Sequence, residues 1–191
     1  MTERSDLANL RALGEPRTHE WAGASESIGA GLVEWTRLAI SHDQQLAVRA
    51  SLAACALVTG GFVGGPGGAG AGGGAVPASR AYVDQMMAAV QRWLDQPTHE
   101  HREAVRLSLD VMRQLHAWQT DDDPQFWILE AVDHMCLTVW AGERASYIIP
   151  LDFATSAGRV IACVFHAMRS SGQGEQRAAD AVIDVVLRVT P

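Results

Sequence analysis

The chain contains no lysine, so all fifteen of its cations are arginine. That absence excludes the lysine-bearing phosphate loop of nucleotide-binding proteins, however much glycine is present, because that loop needs its lysine on the phosphates. Charge of either sign is scarce, at 19% of 191 residues, and acidic residues outnumber basic ones 22 to 15, for a formal net charge of −7. With no basic run to neutralise phosphates, nucleic-acid binding is excluded as a main role, and the field of the molecule favours basic protein partners. The three cysteines, Cys55, Cys136 and Cys163, are far apart, odd in number and without a CxxC pair. They predict no disulfide framework, only buried reduced thiols in a cytoplasmic protein. The N-terminal residues Met1 to Asp6 are polar and lack the apolar run of a signal peptide. Strand-like alternation is absent throughout.

What is present is apolar bulk. At 48% hydrophobic residues the chain is long enough for one sizeable core and too short for two comfortable ones. Ser51 to Ser79 carries no charged residue, but ten of its 29 positions are glycine, and Pro66 and Pro77 interrupt it. Its strongly apolar part, Leu52 to Val63, is too short to cross a bilayer, so a membrane span is not expected. The expectation is a buried helix end running into a glycine-rich loop.

Helical spacing organises nearly everything else. Leu7, Leu10 and Leu13 mark a short segment over 2–13, stopped by Gly14 and Pro16, and Ile28, Leu32, Trp35 and Leu38 mark a second over 25–39. Ser41 to Gln44 has capping-box spacing and predicts a helix through Leu57, ended by Gly60-Gly61. Ser79 predicts the start of a helix running to Pro97, and Thr98 the start of the next, through Leu109 and Leu115. Asp123-Pro124 is a strong start signal, aspartate accepting free amide hydrogens and proline suiting the first turn. Further helices are expected from about Asp152 to Ser170 and from Glu175 onward, with 146–151 extended between. The fold class expected is therefore all-α: one helical bundle of seven or eight mostly antiparallel helices. Its parts are N-terminal helices over 2–59, a Gly-rich loop over 60–78 and a main bundle over 79–191.

No catalytic pattern survives inspection. Zincin HExxH, the Glu-x-x-His of di-iron bundles and the G-x-S-x-G elbow are all missing. Glu130 and His134 lie at i, i+4, and with Glu100 they form the fallback metal set, under which this would be a metal-binding bundle or enzyme. Cys163 and His166 share a helix face, but a core cysteine is the reading preferred there, and no cofactor is expected. Asp121, Asp122 and Asp123 form the densest acidic stretch and read as a docking face for a basic partner. Trp93, Trp118 and Trp127 fall near helix ends, where a partly exposed indole can anchor an interface; Trp118 and Trp127 are the anchors assigned.

The segment Ala89-Val-Gln-Arg-Trp93-Leu-Asp-Gln-Pro97-Thr98-His-Glu100-His-Arg102-Glu-Ala104 carries a resemblance. A helix ending in Trp, a Pro-Thr break and a new helix opening with Glu-x-Arg-x-Ala resembles the small all-helical immunity proteins encoded beside bacterial polymorphic toxins. The similarity continues through Phe126-Trp-Ile-Leu-Glu-Ala-Val and the Ala-rich stretch from Ala154 to Met168, covering about residues 80–170. It implies a stoichiometric binder that occludes a basic toxin's active site, with no catalytic residue to carry over. The alternatives are the metal-binding reading and a structural subunit that self-associates through its exposed aromatics and its last apolar helix (Val182, Ile183, Val186, Leu187).

Overall fold

The computed structural model describes residues 7–14, 27–40, 42–60, 78–106, 124–140 and 152–190. Eight helices occupy them: α1 Leu7–Gly14, α2 Ser27–Ala39, α3 Gln44–Thr59, α4 Ala78–Asp95, α5 described over 99–106, α6 Pro124–Trp140, α7 Phe153–Ser170 and α8 Glu175–Val189. No strand occurs among the described residues, and the fold is an all-α bundle. Most of the Gly-rich stretch (61–77) and the segment 146–151 lie outside them.

Local signals set the helix ends. Asp43, not Ser41, caps α3: its Oδ1 accepts from the Leu46 amide at 3.1 Å. Two good capping residues stand two apart here, and the one adjoining the first helical residue takes the role. Helix α4 begins at Ala78, which puts Ser79 inside its first turn instead of ahead of it. Thr98 does start α5, accepting from the His101 amide at 3.2 Å. Asp152 caps α7 through a 2.6 Å bond from the Thr155 amide. Asp152→Ala should cost about 1 kcal/mol, measurable as a shifted urea midpoint with an unchanged slope. At the other end of α7, Gly172 adopts φ +90°, a left-handed conformation that glycine enters without a Cβ clash. There the Gln173 amide reaches back to the Met168 carbonyl (3.1 Å) and the Gly172 amide to Arg169 (2.8 Å). This paired closure turns the chain directly into α8.

Helix α7 lies at the centre, packed by α2, α3, α6 and α8, and an unbroken run from Val160 to Met168 is buried. One contiguous hydrophobic core draws on every helix, from Leu10 in α1 to Val186 in α8. Glycine sets the closest approach: a Cβ at Gly158 of α7 would lie 2.7 Å from the Val33 carbonyl oxygen of α2. Polar clasps fix the rest. Gln44 Nε2 donates to the Thr138 and Val139 carbonyls at 3.0 Å each, tying the start of α3 to the end of α6. Glu175 pairs with Arg11 at 3.0 Å and Arg169 at 3.3 Å, joining α1, α7 and α8. Arg80 Nη1 donates to the Thr59 carbonyl at 2.6 Å, which sets α4 antiparallel to α3. Among the described residues no helix is long and apolar enough to cross a membrane.

Candidate functional site

Among the described residues, two places gather the side chains that chemistry or recognition would use. The first is the seam between α6 and α7. Its α6 side carries Trp127, Glu130, Asp133 and His134, at i, i+3, i+6 and i+7, and its α7 side carries Arg159, Cys163 and His166, at i, i+4 and i+7. His134 Nε2 stands 3.7 Å from Glu130 Oε2. His166 stacks on Trp127 with ring centroids 4.5 Å apart, and its Nε2 occupies the space beside Gly29 of α2, 2.7 Å from where a Cβ would fall. Burial lowers the Arg159 pKa, while Cys163 and Glu130 work to keep it charged.

The thiol of the seam is held protonated by burial. Burial pushes the Cys163 thiol well up, with Glu130 adding to that effect and Arg159 opposing it. Cys136 is raised by burial and then by Asp133, and Cys55 by burial alone. A thiol held protonated in the core is a poor nucleophile, so the Cys163–His166 face is packing. Nor does the fallback metal set assemble. Glu100 is exposed on α5, and Trp140 Nε1 at the end of α6 donates to the Arg102 carbonyl of α5 at 3.0 Å. Ten residues of helix, about 15 Å, separate that end from Glu130. Among the described residues no group of three His, Cys, Asp or Glu side chains converges on a point.

The aromatic anchors resolve differently from expectation. Trp127 is only 7% exposed, packed in the core against His166 instead of facing a partner, and Trp93 is buried as well. Helix α6 is apolar on nearly every side and sits between α3, α4 and α7, so its first-turn indole turns inward. Trp118 and Asp121, Asp122 and Asp123 lie outside the described residues.

The second place is a groove between α3 and α4, about 690 Å³ in volume, which the periodicity alone did not reveal. Helix α3 contributes Arg49, Leu52, Ala53 and Ala56; α4 contributes Met87, Ala88, Gln91, Leu94 and Asp95; Val189 of α8 closes one side. After Arg49 the outward face of α3 bears no charge, and Leu57 beside the groove is 41% exposed. A sequence signal for this existed in the uncharged run from Ser51. It reads equally well as a helix buried on all sides, which is how periodicity interprets it.

Comparison with protein-family models, characterised proteins and solved structures returns no match.

Proposed function

We propose that this chain is a stoichiometric protein-binding module without catalysis of its own, docking its partner at the α3–α4 groove. The observation that carries the reading is α3. A surface helix of a folded domain turns a polar face to water. Beyond Arg49, α3 instead exposes Ala56 and Leu57 and leaves Leu52 and Ala53 half-buried, beside an open groove. Uncovered apolar surface rimmed by polar groups is a feature of interaction sites. The sequence resemblance favours one form of this role, an immunity protein that neutralises a cognate toxin by occlusion. The net charge of −7 suits a basic toxin, and Asp121, Asp122 and Asp123 are the residues assigned to steer its approach. Three buried free thiols suit the reducing cytoplasm.

Tagged protein purified from its source cell and analysed for proteins and metals tests the reading. Wild type should emerge with one partner at near-equal stoichiometry. Ala53→Arg, which drives a long charged side chain into the groove, should retain helical circular dichroism yet lose the partner by about tenfold or more. A partner held equally by both forms would move the docking site elsewhere. A protein that emerges alone with bound metal would favour Glu130 and His134 as ligands and overturn the proposal.

A further inference from the structure

We draw no further inference here: the strongest candidate, the open groove between α3 and α4 that Val189 of α8 closes on one side, carries nothing beyond the docking role proposed above, because nothing in the structure shows what covers it.

Discussion

Replacing Gly158 with alanine should lower stability by about 3 kcal/mol, because the added methyl group has nowhere to go. A Cβ there would lie 2.7 Å from the Val33 carbonyl oxygen, 2.9 Å from its Cα and 3.0 Å from its Cγ1. Two of these three atoms are backbone, which a rotamer change cannot move. Helix α7 cannot retreat either, since α3, α6 and α8 pack its other sides. The strain must be met by parting α2 from α7 and uncovering apolar surface on both. For a chain of this size the loss corresponds to a fall of about 6–12 °C in Tm, read by circular dichroism. Gly31→Ala serves as the contrast. Its Cβ would fall onto the carbonyl of Leu10 in α1, but α1 is short and packs chiefly on α2, so undocking it relieves the clash locally. That variant should expose α1 to protease while its main transition moves less. A Tm for Gly158→Ala within about 2 °C of wild type would show that α2 and α7 tolerate separation, and that the close approach contributes little.

The same contacts show which features local chemistry could announce. The starts of α6 at Pro124, α7 after Asp152 and α8 at Glu175 were legible because a capping residue, a proline or an acid stands beside an apolar stripe of period 3.6. The cap of α3 is not legible in the same way, because Ser41 and Asp43 offer the same chemistry within two residues and only the backbone path decides between them. Trp127 reads from the sequence as an interface anchor because it lies near a helix end. Its burial depends on His166, 39 positions away, stacking on it, and on Gly29 of a third helix leaving room for that ring. The electrostatic influence of Glu130 on Arg159 across the α6–α7 seam is likewise set by helix packing, to which periodicity within one helix is blind. The groove has the same character: the uncharged run in α3 is plain in the sequence, but whether anything covers it depends on where α4 and α8 come to rest.

A steep loss of stability in alkali is the other large effect expected, and it follows from three thiols held in one core. Burial raises all three in the folded chain, with Asp133 adding to Cys136 and Glu130 to Cys163. The unfolded chain ionises its cysteines at the ordinary value, near 9.0. Below that pH both states keep their protons, and the full stability is present. Above it the unfolded state sheds protons that the folded state retains, so each unit of pH favours unfolding. With three thiols the slope approaches about 4 kcal/mol per pH unit, enough to exhaust an ordinary domain's stability within two or three units. Absence of lysine makes the measurement clean, because the side chain that would otherwise dominate titration in this range is missing. Urea unfolding under reducing conditions from about pH 8 to pH 10.5 should trace that slope. A variant with Cys55, Cys136 and Cys163 all replaced by alanine should start less stable, since it loses core volume, and then decline far less steeply. Both tyrosines remain in each protein, so the difference between the two slopes isolates the thiols. Parallel slopes would mean that the thiols ionise in the folded chain as readily as in the unfolded one. In that case the core around α3, α6 and α7 would have to admit water, and Cys163 beside His166 would be a reactive thiol instead of a packing residue.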